Sequence, residues 1–146
     1  MNYVDNDAGA DMDGPRAMVE RLVDATNAHD LDALVACFAE NYENVTPVHP
    51  ARSFKGRDQV RRNWEQIFGF VPDIRAEVIR LAVDGQTAWT EWDMTGTRRD
   101  GTTHHMRGVV VFGVRDGVTH RAHFYLEPVD ADASTVDDAV RDQVVR

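Results

Sequence analysis

The chain has 146 residues, and its 25 Asp and Glu against 16 Lys and Arg give it a formal net charge of −9. This length fits one domain, and the acidity makes nucleic acid and an anionic membrane surface unfavourable partners. The single cysteine, Cys37, excludes an internal disulfide and a cysteine-based metal cluster. With no secretory signal and no apolar membrane span in the sequence, we expect a cytoplasmic protein.

The predicted tails carry most of the negative charge. Residues 1–14 contain four Asp and no Lys or Arg, and residues 129–146 contain five Asp against two Arg. We therefore expect a disordered acidic leader over residues 1–14, a folded domain over 15–128 and an acidic C-terminal tail over 129–146. Within that tail, a short docking helix over residues 134–145 and a tail that is only an acidic, solvated fringe both remain open.

Helical spacing dominates the first half of the domain. Pro15 begins a helix with apolar residues at helical spacing, and Asp30 caps a second helix that forms a hairpin with the first. A short strand is predicted over residues 42–48. Gly56 then precedes a third helix, which ends near Gly69.

Three Asp-Gly dipeptides organise the second half. They lie at 84–85, 100–101 and 116–117 between alternating, β-branched segments. Because Asp-Gly between such segments is a strong hairpin signal, they predict four antiparallel strands. We place these strands at roughly residues 74–83, 86–98, 103–115 and 118–128. The whole order predicts an α+β fold, a strongly curved sheet with helices covering one face.

Several short motifs occur in this order of elements. They are His29-Asp30-Leu31-Asp32-Ala33-Leu34, Phe38-Ala39-Glu40, Phe54-Lys55-Gly56-Arg57, Thr95-Gly96-Thr97 and Asp116-Gly117. Over about residues 16–128 the chain resembles the SnoaL-like branch of the nuclear transport factor 2 superfamily. The resemblance implies a cone-shaped half-barrel with three helices on the concave side of the sheet, a small-molecule pocket and often a homodimer. It implies no single chemistry, because the fold includes polyketide cyclases, ketosteroid isomerases, epoxide hydrolases and non-catalytic binders.

The resemblance also assigns roles to individual positions. Thr46, Val110 and Phe124 stand where different members carry catalytic carboxylates. Tyr42 and Asn44 match a pair that holds the attacking water in limonene-type epoxide hydrolases. In the Arg-x-Asp pair of those enzymes, the Asp is retained here as Asp93, whereas Glu91 replaces the Arg.

These matches give the candidate catalytic residues. Asp93 and Glu91 point the same way from one strand, so inside a pocket one of them would have a raised pKa suited to acid or base work. On the alternative interpretation they form a polar stripe bridged to Arg80 or Arg121. Tyr42 and Asn44 would orient water or a carbonyl group, and His49, between two prolines at the pocket rim, is a further candidate base.

Two registers of the last strands remain open. If the last two Asp-Gly turns are both two-residue turns, one face holds Glu91, Asp93, Gly108, Val110, His123, Tyr125 and Glu127. If the last turn has three residues with a glycine bulge, Ala122, Phe124 and Leu126 point inward and His123, Tyr125 and Glu127 point outward. Trp64, Phe68 and Met106 are expected in the pocket or core in either case.

The sequence leaves two functions open. The first is a cofactor-independent acid–base enzyme that cyclises, isomerises or adds water to a small apolar metabolite. The second is a non-catalytic binding protein or dimeric scaffold. We expect no metal site, because the adjacent His104 and His105 point to opposite faces. Large apolar residues such as Trp89 and Trp92 fall on both faces of the sheet. Because the helices can cover only one face, we expect the outer face to be buried in a homodimer.

Overall fold

A single mixed sheet with helices on one face forms the protein, as seen in a computed structural model that describes residues 2–5 and 12–145. The helices of these residues are α1 (Pro15–Asn27), α2 (Leu31–Val35), α3 (Arg57–Phe70) and α4 (Val136–Val144). The strands are β1 (Asn2–Asp5), β2 (Phe38–Val45), β3 (Phe54–Lys55), β4 (Arg75–Asp84), β5 (Thr87–Thr97), β6 (Thr103–Arg115) and β7 (Val118–Pro128). A single 3₁₀ turn covers Pro50–Arg52.

The strand order is β1-β4-β5-β6-β7-β2-β3. Strands β4 to β7 form the antiparallel meander that the three Asp-Gly dipeptides predict, with each boundary within about one residue. Strand β2 pairs in parallel with β7, and the short β3 pairs antiparallel with β2. The sheet is strongly curved and does not close, which confirms the predicted α+β cone.

The helices begin where their capping residues predict. Pro15 is the first residue of α1, and the Asp30 side chain accepts a hydrogen bond from the Ala33 N–H at 3.1 Å. Helix α2 is shorter than the sequence predicts, because Phe38 already belongs to β2 and pairs with Thr119 of β7. That strand starts four residues earlier than predicted and ends at Val45, before Pro47.

The core lies between the helices and the inner sheet face. Its largest fully buried side chains are Met18, Val19, Leu34, Tyr42, Ile74, Val78, Leu81, Val110 and Phe112. Burial of this much apolar surface is the main stabilising contribution to the fold.

The turns decide which residues face that core. After β5 the loop has three residues, since the Arg98 N–H donates to the Thr102 carbonyl at 2.8 Å and Gly101 takes a φ of +86°. The last turn has two residues, with positive φ at both Asp116 and Gly117. The expected three-residue loop therefore occurs at the second hairpin rather than the third.

A register shift follows in β7. Val114 pairs with Thr119 and Gly113 with Arg121, so one additional residue is accommodated in β7 between these pairs. Phe124 consequently pairs with Val110. Of the two predicted registers, the structure therefore has Ala122, Phe124 and Leu126 on the inner face, but an irregularity within the strand produces it and not a three-residue turn.

The expectation of a wholly disordered leader is corrected at residues 2–5. These form β1, which pairs in parallel with β4 from Arg80 to Val83. Nearer the domain, the Gly117 N–H donates to the Asp13 carbonyl at 3.1 Å. Residues 1 and 6–11 of the predicted leader lie outside the described part of the chain.

The C-terminal tail contains the short helix α4. A capping box begins it, in which Thr135 and Asp138 each bond the other's backbone N–H. Its apolar side chains, including Val136 and Val144, are exposed. Among the described residues, no helix is long and apolar enough to cross a membrane.

Candidate functional site

A pocket of about 320 Å³ opens between the helices and the inner face of the sheet. Most of its wall is apolar, from Phe38, Phe54, Val60, Trp64, Ile67, Ile74, Met94, Met106, Phe124 and Leu126. A chamber of about 50 Å³ shares part of this wall and extends it toward Trp92, Val110 and Phe112. A volume at the lower end of the range for ligand sites suits one small, mostly apolar molecule.

Two polar residues of β2 face the pocket, as the sequence predicts. Tyr42 and Asn44 alternate with outward residues of the strand, and the Tyr42 hydroxyl donates to Asn44 Oδ1 at 2.8 Å. Asn44 Nδ2 in turn donates to Thr46 Oγ1 at 3.2 Å. Burial raises the pKa of Tyr42 well above its ordinary value, so the phenol stays protonated.

This chain of hydrogen bonds leaves capacity for a ligand. The Asn44 amide has two N–H donors, and Thr46 accepts from one of them. The Tyr42 oxygen donates its proton to Asn44 and keeps lone pairs that can accept. Each group therefore keeps hydrogen-bonding capacity that a water molecule or a ligand hydroxyl can use.

A histidine–carboxylate pair stands at the pocket. His49 lies in the loop after β2, and its Nε2 is 2.9 Å from Oε1 of Glu127, near the end of β7. Glu127 is part of the pocket wall together with its neighbour Leu126, so the expectation that this register turns Glu127 outward is wrong at the end of the strand. The two side chains are 35% and 43% exposed, so the pair connects the pocket to solvent. The sequence identifies His49 and Glu127 separately as candidate site residues, but it gives no indication that the two side chains contact each other.

His104 is a third titratable group in the pocket wall. Burial lowers the pKa of this imidazole, and the nearby positive charge of Arg98 and His105 adds to the effect. The adjacent His105 points to the other face of the sheet, as the alternation of a strand predicts. Sequence reasoning considered His104 only as a metal ligand, although the same alternation could have placed it in the pocket.

Asp93 and Glu91 do not line this pocket, which corrects the expectation that they point into it. Asp93 Oδ1 is 2.7 Å from His105 Nε2 on the outer face of the sheet. Glu91 forms ion pairs with Arg80 and, at 3.7 Å, with Arg107. Their neighbours in β5, such as Trp92, take the inner positions and are buried.

The remaining predicted residues divide between the two faces. Trp64, Met106 and Phe124 line the pocket, and Val110 lines the chamber behind it. His123 and Tyr125 lie on the outer face, because they pair with Val111 and Val109. Phe68 stacks on His29, with ring centroids 4.9 Å apart, and lies outside the pocket wall.

Two polar residues of the wall were not selected from the sequence. Asn63 lies on α3 with Val60, Trp64 and Ile67, so its helical spacing was a usable signal. Arg52 ends the 3₁₀ turn at the mouth. Because a 3₁₀ turn of three residues has no periodic pattern, the sequence offers no signal that Arg52 lies at the pocket.

Within residues 12–145, no three His, Cys, Asp or Glu side chains are placed to hold a metal ion together. The polar side chains of the pocket wall can bind, orient and exchange protons, which are the operations of acid–base chemistry.

Solved structures with the same fold include a candidate ketosteroid isomerase from Kribbella flavida. It is 24% identical, with a TM-score of 0.63, and the match covers 90% of this chain and 87% of that one. IdmH, a candidate polyketide cyclase from Streptomyces antibioticus, is 20% identical with a TM-score of 0.66, over 77% of this chain and 91% of that one. AclR, a candidate hydroxylase from Streptomyces galilaeus, is 16% identical with a TM-score of 0.67, over 77% of both chains.

Similarity at these identities shows the fold alone. No curated protein matches the sequence. The family model of the SnoaL-like domain, however, matches residues 19–121, which is most of the chain. The chain therefore belongs to the SnoaL-like domain family.

Proposed function

We propose that this protein is an acid–base enzyme that isomerises, cyclises or adds water to a small, mostly apolar molecule held in the pocket. The observation that carries the proposal is the His49–Glu127 pair, which joins a proton-accepting carboxylate in the pocket wall to an imidazole 2.9 Å away. The enzymes proposed for similar folds fit this general class.

Glu127 is the proposed base. Its carboxylate accepts a proton from the ligand or from a water molecule, and His49 holds the carboxylate in place through its Nε2. Glu127 returns the same proton to the product at the end of the reaction, so its carboxylate is regenerated while the contact with His49 keeps it in place. The partial exposure of both side chains lets the pair exchange protons with solvent.

Tyr42 and Asn44 are proposed to orient the reacting oxygen. The second Asn44 N–H can donate to a carbonyl, an epoxide oxygen or a water molecule. A donor fixed in advance stabilises negative charge that develops on that oxygen. The phenol of Tyr42 is held by Asn44 and protonated, so it orients and does not act as a base.

The second candidate function is binding without catalysis. Uncharged side chains at Thr46, Val110 and Phe124, where related enzymes carry carboxylates, favour it. A chain that binds ligands in the pocket but turns none over, with Glu127 intact, would have this function.

A homodimer through the outer sheet face remains part of the proposal. One cross-strand row on that face runs Ala82–Trp89–Val111–His123–Val45. Trp89 in this row is 52% exposed, and charged residues such as Glu91 and Arg107 flank it. An exposed apolar band with a polar rim is typical of a protein interface.

Glu127→Gln tests the catalytic assignment. We would first screen epoxides, enolisable ketones and polyketide-like aromatics for turnover by NMR. With any active compound, Glu127→Gln should lower kcat by about a hundred-fold or more, because positioned general bases contribute on that order. Glu40→Gln is the matched control, since Glu40 is exposed on the same sheet and lies outside the pocket wall. Equal turnover by Glu127→Gln and the natural chain would refute the assignment.

A further inference from the structure

We infer that the ligand carries a carboxylate group, which Arg52 binds at the mouth while the apolar part of the ligand occupies the pocket. This inference rests on the proposed use of the pocket and specifies the chemical class of its ligand. It depends on the charge of the segment beside the mouth, the partners of each cation in that segment and the contact that already engages Glu127 with His49.

The segment that borders the mouth carries a charge opposite to that of the chain as a whole. Residues 49–63 contain five Lys and Arg against one acid, Asp58, in a chain of net charge −9. This segment runs from the loop after β2 through β3 into α3 and supplies Arg52, Phe54, Val60 and Asn63 to the pocket wall. A cluster of one sign beside a low-dielectric cleft raises the local concentration of oppositely charged ligands.

Among these cations, Arg52 is the one that lines the pocket. Arg61 is already paired with Asp32 at 2.9 Å, and Arg62 donates to Gln59. Within the described residues Arg52 has no carboxylate partner. A guanidinium group at an apolar cleft, with its donors free, matches the planar geometry of a carboxylate.

The carboxylate of Glu127 already has a partner at the mouth. Its Oε1 is 2.9 Å from His49 Nε2. Among the described residues of the pocket wall, Arg52 is therefore the charged group that is left to pair with a ligand. An aromatic wall that includes Phe38, Trp64 and Phe124 suits a ring as the apolar part.

Three probes of nearly the same shape test the inference: 4-phenylbutyrate, 4-phenylbutanol and 4-phenylbutylamine. Their dissociation constants are measured by calorimetry at low salt on the full chain. We expect the acid to bind about five-fold tighter than the alcohol, the scale of a partly exposed ion pair. Arg52→Gln should remove this preference, and Arg52→Lys should retain part of it.

Lys55→Gln is the matched control. It removes the same charge from the same segment, but Lys55 lies on β3, opposite Glu43 of β2 in the sheet, and outside the pocket wall. The preference for the acid should survive it nearly unchanged. Circular dichroism spectra of all variants, matched to the natural chain, exclude misfolding as the cause of weaker binding.

Several results would overturn the inference. Equal binding of the acid and the alcohol, the same loss in Lys55→Gln as in Arg52→Gln, or binding of none of the probes would each do so. Tighter binding of the amine, lost in Glu127→Gln, would show a cationic ligand instead. The proposed catalysis is judged separately, since Glu127→Gln should abolish turnover while leaving the acid bound at least as tightly.

Discussion

Gly108 in the middle of β6 offers the sharpest test of how the pocket wall is built. It pairs with Trp92 on one side and Leu126 on the other, and its φ is +151°. A Cβ atom added there would lie 2.0 Å from the Tyr125 carbonyl oxygen and 2.8 Å from the Leu126 Cα. Both contacts are with backbone, so no side-chain rotation relieves them.

Gly108→Ala should therefore destabilise the fold strongly. The unfavourable φ costs about 1–3 kcal/mol, and forcing β7 away adds a steric cost of about 1–3 kcal/mol. Together these give a loss of about 2–6 kcal/mol in the free energy of unfolding, centred near about 4 kcal/mol. With an m-value of about 2 kcal/mol per molar urea, the midpoint should fall by about 2 M.

Urea unfolding followed by tryptophan fluorescence measures this loss. Gly113→Ala is the control on the same strand, because its Cβ would meet the Arg121 carbonyl oxygen at an ordinary 3.4 Å. The control should change the free energy of unfolding by less than about 1 kcal/mol. If Gly108→Ala were as stable as Gly113→Ala, the close approach of β6 and β7 at this point would be refuted.

Three further predictions concern the interface and two buried titratable groups. The natural chain should sediment as a dimer at about 10 μM and Trp89→Asp as a monomer; a monomeric natural chain would refute the outer-face interface. Burial raises the pKa of the Cys37 thiol to about 11, so at pH 8 iodoacetamide should alkylate the native protein about a hundred-fold more slowly than a free cysteine; reaction at the free-thiol rate would contradict this. The pKa of His104 is lowered in the folded state, so its stabilising contribution is complete above about pH 6.5 and declines as the pH falls further; His104→Gln should flatten stability against pH below about 6.5, measured by urea unfolding, and an unchanged slope would exclude His104 as its cause.

The strands could be predicted closely because their signals are local. Each Asp-Gly dipeptide permits positive φ at a turn, and the alternation on both sides needs no tertiary information. The first two helices likewise begin where local signals predict: α1 begins at Pro15, and α2 begins directly after its capping residue Asp30. The strand β2 was placed less accurately, since its start depends on pairing with the distant β7.

The faces of the strands could not be predicted in the same way. The same dipeptide forms a three-residue loop at Gly101 and a two-residue turn at Gly117. Trp89 and Trp92 lie three residues apart, so a tryptophan falls on each face of β5 and the alternation alone identifies no inner face. The extra residue within β7 depends on packing between strands, which the sequence pattern does not show. The outward position of Asp93 follows from the three-residue loop at Gly101, which sets the register between β5 and β6.

The parallel pairing of β2 with β7 has a consequence for how the protein folds. It joins Val45 to His123 across the whole of α3 and the meander, and it also brings His49 to Glu127. Contacts between neighbouring strands of the meander close short loops, whereas this contact closes a very long one and carries a larger entropic cost before it forms. We therefore expect the meander to form early in refolding and ligand-binding competence to return only in the last kinetic phase, so that activity reports completion of the native structure.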